Sequence, residues 1–433
     1  MKILKFPENF YWGTSISSHQ TEGNNKNNWS EWEKSEKRIK ELKKQGKNPD
    51  NFISGLACNH YHLYEQDFDL VKELNNNALR FSIEWSRIEP RRGIFNQKEI
   101  NHYKEVLLAL KQRNIEPFVT IWHFTTPIWF EKLKGWNNKK APEYFSFYVK
   151  KIVEEFGGLV NFWITINEPL IYAFLSYHQG IWPPQEKNLI KTIKVIRNLI
   201  KAHKLAYKII KRTSFDLKKH PAAIGIAKNN VYFEAYKNKP INIILKKLSD
   251  YFWNKYFLNK IKNHLDFIGL NYYAHNRIKF SWEKPNEWWK WWNKNENKNI
   301  SDIGWEIYPK GIYYVLLQLK KYNKPIYITE NGIADRKDKK RSKFIVNHLK
   351  WIHKAIKDST DVRGYFYWSL MDNFEWALGF YPRFGLYKVD YRTQKRTPRP
   401  SSKIYAEICK TNQIEIKKEK VKSKKSSLPT GKF

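Results

Sequence analysis

Cysteine is nearly missing from this chain: Cys58 and Cys409 are the only two in 433 residues. Two thiols so far apart make no disulfide framework, which excludes the small cross-linked secreted scaffolds and suits a reducing compartment. Long apolar runs are missing as well. No stretch of about 18 apolar residues occurs, so no membrane-spanning helix is expected. The first residues, MKILKFPENFYWG, put Lys5, Pro7, Glu8 and Asn9 where a secretion leader needs unbroken apolar sequence. The expectation is a cytoplasmic protein. No GxGxxG turn is present, and with it goes the usual mark of a dinucleotide-binding open sheet.

Acidic residues are scarce beside basic ones, 42 Asp and Glu against 79 Lys and Arg, for a net charge of +37. Such an excess can serve nucleic acid or an acidic surface. Here the lysines are scattered, and no nucleic-acid motif accompanies them. Runs such as 337–341 (KDKKR) fall between elements, where solvated charge is ordinary. The charge therefore reads as solvated helix faces, with no specific nucleic-acid partner and some non-specific adhesion to anionic polymers. His60 and His62 have the look of half a metal site. No third and fourth ligand follows at a recognisable spacing, so they read as structural or substrate-side histidines and no metal is expected.

What the chain does have is β-rich apolar runs at regular intervals. Eight stand out: FYWGTS (10–15), ALRFSI (78–83), EPFVTIWH (116–123), NFWITIN (161–167), AAIGIA (222–227), FIGLNYY (267–273), PIYITE (325–330) and VRGYFYWSL (362–370). Between them lie segments with helical spacing, over 62–74, 102–113, 192–212 and 309–322. The last opens on Pro309, a favourable first-turn residue. Strands alternating with helices argue for a parallel sheet, and eight such units predict a closed (β/α)8 barrel. The barrel domain is expected over 1–412. Residues 413–433, with seven lysines and little apolar content, are expected to be a disordered basic tail.

Active sites of such barrels lie at the C-terminal ends of the strands. The third strand ends at Trp122-His123, the fourth at Asn167-Glu168, the sixth at Asn271-Tyr272-Tyr273 and the seventh at Glu330-Asn331. The eighth ends near Trp368, followed by Asp372 to Trp376. Carboxylates, amides, a histidine and flat rings thus converge on one mouth, as a sugar site requires. Two glutamates at the ends of strands four and seven can flank a glycosidic bond, one as carboxylate and one as carboxylic acid. A single strand-end glutamate would read as an ion-paired structural residue. Two, each after a β-run and beside an asparagine, weaken that reading.

With these residues in place, the chain resembles glycoside hydrolase family 1, the β-glucosidase family. The resemblance runs from Phe6 to about Ser402. It is carried by FYWGTSISSHQTEG, HYHLYEQDFDLVKELNNNALRFSIEWSRIEP, FWITINEP, DFIGLNYYAHNRI, GWEIYPKGI, PIYITENG and GYFYWSLMDNFEWALGFYPRFGLYKVDY. TINEP and ITENG in this order and spacing are its most specific pieces. The resemblance implies that Glu168 is the general acid/base and Glu330 the nucleophile of a retaining exo-β-glycosidase with no cofactor. It implies that Gln20, His123, Asn167, Tyr273, Trp368, Glu375 and Trp376 bind substrate or line its subsite, and that Arg80 and Asn271 support the nucleophile, with Tyr273 beside it too. The retaining mechanism implies carboxyl groups about 5–5.5 Å apart. The implied substrate is a small β-glycoside, most simply a β-glucoside.

Three features bear on specificity. The family usually has Trp after the strand-three histidine, and here Phe124 follows His123, which removes an indole N–H. A 6-phospho-β-glucosidase is the neighbouring alternative. Members of that type usually carry a small hydroxyl residue where Glu375 stands, with Lys and Tyr soon after, whereas this chain has Glu375, Tyr381 and Arg383. A non-catalytic sugar-binding protein of the same fold would not need both glutamates. Finally, SWEKPNEWWKWWN (281–293) holds five tryptophans after strand six and is expected to offer stacking surface to an aglycone.

Overall fold

The computed structural model of the protein describes residues 2–218, 221–283 and 299–416. All eight expected strands form: β1 Tyr11–Ser15, β2 Ala78–Ser82, β3 Glu116–Trp122, β4 Phe162–Asn167, β5 Ala223–Asn229, β6 Phe267–Asn271, β7 Ile326–Asn331 and β8 Val362–Trp368. Each pairs in parallel with its sequence neighbours, and β8 returns to β1, so the sheet closes as a barrel. The expected (β/α)8 architecture is the observed one.

Strand alternation fills the barrel from inside. Phe118, Ile164, Phe267, Tyr327 and Phe366 form an inner cluster with Ala78 and Ala227. Phe118 and Phe162 stack at 4.2 Å and 8°. Rings this large leave no room for facing side chains. A Cβ on Gly225 would stand 2.4 Å from the Phe267 ring, and one on Gly13 would stand 2.5 Å from Phe366. Burying such rings removes large apolar areas from water, at about 25 cal/mol per Å².

Helices cover the outside. The four expected segments fold as α1 His60–Glu73, α2 Gln97–Gln112, α4 Leu189–Lys218 and α6 Pro309–Leu319. The other helices of ten or more residues among the described residues are α3 Ala141–Phe156, α5 Pro240–Asp250, α7 Arg341–Lys357 and α8 Pro400–Thr411. Their apolar stripes bury Leu107, Tyr148, Leu199 and Ile352 against the strands. Among the described residues no helix is long and apolar enough to cross a membrane. Both cysteines are buried free thiols.

The tail boundary needs correction. Residues Gln413–Ile416 form a strand that pairs antiparallel with Lys2–Lys5, with Lys2 opposite Ile416 and Lys5 opposite Gln413. Ile414 and Leu4 are buried by this pairing. The folded unit therefore runs to 416, and the rest of the expected tail lies outside the described residues. His60 also finds a structural role: its Nδ1 lies 2.7 Å from Asp67 Oδ2, in a buried pair that Arg396 joins.

Candidate active site

β7 carries PIYITENG across the barrel to the mouth. Its pairing shifts register between Ile328 and Glu330 against β6, and between Ile328 and Asn331 against β8. Such an irregularity re-aims a side chain at the strand end. Glu330 is buried, with both carboxylate oxygens held by donors. Arg80 of β2 donates from Nη1 to Oε1, and Tyr273 donates its hydroxyl to Oε2 at 2.7 Å.

β4 ends on Asn167, and Glu168 then adopts a left-handed backbone, φ 40° and ψ 59°. For a residue with a side chain this costs about 1–3 kcal/mol, and it accumulates at functional positions. Pro169 starts a short helix, Pro169–Ala173, directly afterwards. Strand, reversal and helix thus fit within three residues. Glu168 Oε1 accepts from Asn271 Nδ2 at 2.9 Å and from Asn229 Nδ2 at 3.3 Å. Burial, then the Glu330 carboxylate, push the Glu168 carboxyl up to about 7, against the pull of the two amides and Arg80. The two glutamates are therefore near enough to feel each other and are bonded differently: Glu330 accepts from a guanidinium, Glu168 from two neutral amides.

Asn167 ties the two halves together. Its Oδ1 accepts from Arg80 Nη2 at 2.7 Å and from Asn271 Nδ2 at 3.1 Å, so its own Nδ2 faces His123 Nε2 at 3.1 Å. With Nε2 accepting, the His123 proton belongs on Nδ1. That atom has no hydrogen-bond partner among the described residues. Burial, helped by Arg80, holds His123 well below the ordinary imidazole range, so the ring is neutral.

The far wall comes from the segment after β8 and from Gln20. Gln20 Nε2 donates to the Phe374 carbonyl at 2.7 Å and to Glu375 Oε2 at 3.3 Å, and Ser17 Oγ fixes its other end at 2.8 Å. Burial, then Glu330 and Glu168, raise Glu375 to about 8. The Gln20 amide and the Trp368 side chain act against that rise. Trp376 is layered between His19 at 5.7 Å and His123 at 5.9 Å, with interplanar angles of 14° and 16°. His123 further stacks on Trp368 at 6.2 Å and 24°. Three carboxyl groups and one guanidinium meet in this mouth, and Glu168 and Glu375, which the guanidinium does not bond, both have raised proton affinity.

The site residues expected from the sequence lie together in this one group, and the contacts of Asn271 differ from those expected. Asn271 does not bond the Glu330 carboxylate. Its amide donates to Glu168 and Asn167, and its Oδ1 accepts from Thr329 at 2.7 Å. Each Glu330 oxygen is held by one side-chain donor, Arg80 or Tyr273, and the Asn271 amide reaches across to β4 instead. Two contributors went unseen in the sequence. Asn229 holds Glu168, and β5 runs two residues past the expected 227, so the strand-end rule would have found it. Trp253, from the π-helical turn Tyr251–Lys255, donates its indole N–H to Asn229 Oδ1 at 3.3 Å. Of the Trp-rich run, Trp282 is 87% exposed and packs edge-on to Phe280 at 4.9 Å. Its other four tryptophans lie outside the described residues.

Known proteins carry the same chain organisation. The family profile described as Glycosyl hydrolase family 1 matches residues 3–262 and 235–414. Beta-glucosidase A of Thermotoga maritima is 33% identical, over 96% of this chain and 100% of that protein. A beta-glycosidase structure from Pyrococcus horikoshii superposes with a TM-score of 0.85 at 38% identity, covering 96% of this chain and 97% of the other. The Thermotoga maritima beta-glucosidase in complex with glucoimidazole superposes with a TM-score of 0.85 at 32% identity, covering 95% and 100%. With the barrel, the paired glutamates and these likenesses together, the chain belongs to glycosyl hydrolase family 1 and is a glycoside hydrolase.

Proposed function

We propose that the protein is a retaining exo-β-glycosidase, a β-glucosidase that releases terminal β-D-glucosyl residues from short oligosaccharides or from aryl and alkyl glucosides. One observation carries the reading. Glu330 is held by Arg80 and Tyr273, while Glu168 in the same mouth keeps its proton up to about pH 7. That split supplies a nucleophile and an acid from two like residues.

In the first step a Glu330 oxygen bonds to the anomeric carbon as the glycosidic C–O bond breaks. The Glu168 proton passes to the leaving oxygen. Esterification removes the Glu330 charge, so the repulsion that raises Glu168 falls away and Glu168 becomes a competent base. It then takes a proton from water while the water oxygen attacks the same carbon, and the ester bond returns its electrons to Glu330. Asn167, His123, Gln20 and Glu375 offer donors and acceptors for the sugar hydroxyls, and Trp368 and Trp376 offer ring faces for its apolar sides. Two inversions leave the configuration retained.

An unphosphorylated glycone fits better than a 6-phosphorylated one. Glu375 would repel a phosphate, and Arg383 is turned to Asp372 at 3.6 Å and to the Tyr391 ring at 4.6 Å. Two buried free thiols suit the cytoplasmic setting read from the sequence.

The test is Glu330→Ala on a dinitrophenyl β-glucoside. Turnover should fall by roughly 10⁴-fold or more. Added azide should restore product as the α-glycosyl azide, because it attacks where the carboxylate stood. Near-normal hydrolysis, or a β-azide, would remove Glu330 from the nucleophile's role. A panel of nitrophenyl β-glycosides that includes the 6-phosphoglucoside settles the glycone through relative kcat/KM.

A further inference from the structure

β5 ends on two polar residues that face opposite ways. Alternation sends Ala223, Ala227 and Asn229 inward, and Ile224, Ile226 and Lys228 outward into the layer between strands and helices. Lys228 is 1% exposed there. An amine in an apolar layer is costly unless it is paired. Among the described residues no carboxylate forms an ion pair with it. Its Nζ donates to the Asn229 carbonyl and lies 5.3 Å from the centroid of the Trp253 ring. Both neighbours lead to Glu168: Trp253 fixes Asn229 Oδ1, and Asn229 Nδ2 donates to Glu168 Oε1. Burial pulls the Lys228 ammonium down to about 7, and Glu168 is the charge that opposes the pull.

We propose that Lys228 is a positioning residue for the acid/base: its charge, seated behind Asn229 and Trp253, lowers the pH at which Glu168 releases its proton. The proposal rests on the reading of Glu168 as acid/base. Other groups also face Glu168. Glu330 of β7 raises its proton affinity, and Arg80 of β2 lowers it. Tyr273 beyond β6 and Glu375 beyond β8 stand within electrostatic reach. Three residues before Trp253 in the chain, Asp250 is paired with Lys255 and bonded by Asn254. Burial brings the Lys228 ammonium down to about 7, the value to which Glu168 is raised, so the two groups titrate in one range.

The experiment is the pH profile of kcat/KM on a nitrophenyl β-glucoside for the wild type, Lys228→Met, Lys228→Gln and Lys228→Arg. The alkaline limb of this profile reports loss of the acid's proton in the free enzyme. Removing a nearby positive charge makes that proton harder to lose. The limb of the two neutral variants should therefore move up by about half a unit to one unit. The arginine variant stays charged and should keep the limb at or below the wild-type position. Circular dichroism and Tm check folding, and Lys228→Gln decides should Lys228→Met fail to fold. A limb that stays put or moves down in a folded neutral variant overturns the proposal. In parallel, Glu168→Ala is assayed on poor and activated leaving groups. Selective loss on the poor ones, with an unmoved limb in the lysine variants, sinks the role of Lys228 alone. Equal loss on both sinks the reading of Glu168, and the lysine's role with it.

Discussion

The Tyr273 hydroxyl donates to Glu330 Oε2 at 2.7 Å, opposite the oxygen that Arg80 holds. The phenol is far too hard to ionise to compete for the proton: burial, then Glu330, hold it well above its ordinary value. It is therefore a donor throughout the cycle. On the proposed reading of Glu330 as nucleophile, the phenol's place is to orient the carboxylate.

Tyr273→Phe tests that placement. The ring packs against Trp305 and Phe384 and is retained in the variant, so Tm should change little. kcat should fall by about 10- to 100-fold, the range expected when one charge-assisted hydrogen bond is lost. A fall in Tm with unchanged kcat would make Tyr273 a packing residue.

Stability should carry the cost of Glu168. Its folded value near 7 stands above the ordinary 4.5. Between these values the unfolded chain releases the proton while the native one keeps it, so stability declines as pH rises through the window. Glu168→Gln keeps an oxygen for Asn271 and Asn229 and removes the titration. Its Tm should exceed the wild type's at pH 8 and converge with it near pH 4. An equal Tm gain at both ends would mean that something other than the proton is responsible.

Phe124 should be a lever on glycone choice. It is buried beside His123, with its ring 5.2 Å from Trp376 and 4.9 Å from Trp182. Phe124→Trp adds an indole N–H at the edge of the proposed sugar subsite. Across a panel of nitrophenyl β-glycosides, at least one kcat/KM ratio should shift by about 2- to 10-fold, the worth of one hydrogen bond. The same factor on every substrate would make the effect one of general packing, since a larger ring in a filled site costs about 1–3 kcal/mol.

Truncation separates the contribution of the terminal strand from that of the residues beyond 416. Ending the chain after Asn412 removes the partner of Lys2–Lys5 and exposes Leu4. Tm should drop by several degrees, because each 1 kcal/mol lost moves Tm by roughly 2 °C or less in a chain this long. Ending it after Ile416 should cost distinctly less. Equal losses would mean that the strand pairing contributes nothing.

The barrel was legible because each strand announces itself locally. β7 reads Ile-Tyr-Ile-Thr and β4 reads Phe-Trp-Ile-Thr-Ile, β-branched and aromatic runs bounded by polar turns, so their existence did not depend on distant partners. The glutamates were legible for the same reason, as charges at the ends of buried runs. What local pattern does not carry is who faces whom. Asn271 sits beside Glu330 in register and yet bonds Glu168, a partner on another strand. Gln413–Ile416 is four residues long and pairs with a strand some four hundred positions away, so nothing nearby marks it as structure. Lys228 is harder still. A lysine in a strand reads as a solvent-facing charge until helices close over it.

The pairing of Lys2–Lys5 with Gln413–Ile416 has a consequence for handling the enzyme. Helices of the barrel run opposite to its strands, so the end of α8 and the entry to β1 both lie at the base, away from the mouth. Anything fused or tethered at either end of the folded unit hangs from that base. A surface-bound enzyme held there presents its opening outward, and joining the adjacent ends with a short peptide would let new termini be cut elsewhere without crossing the substrate's path.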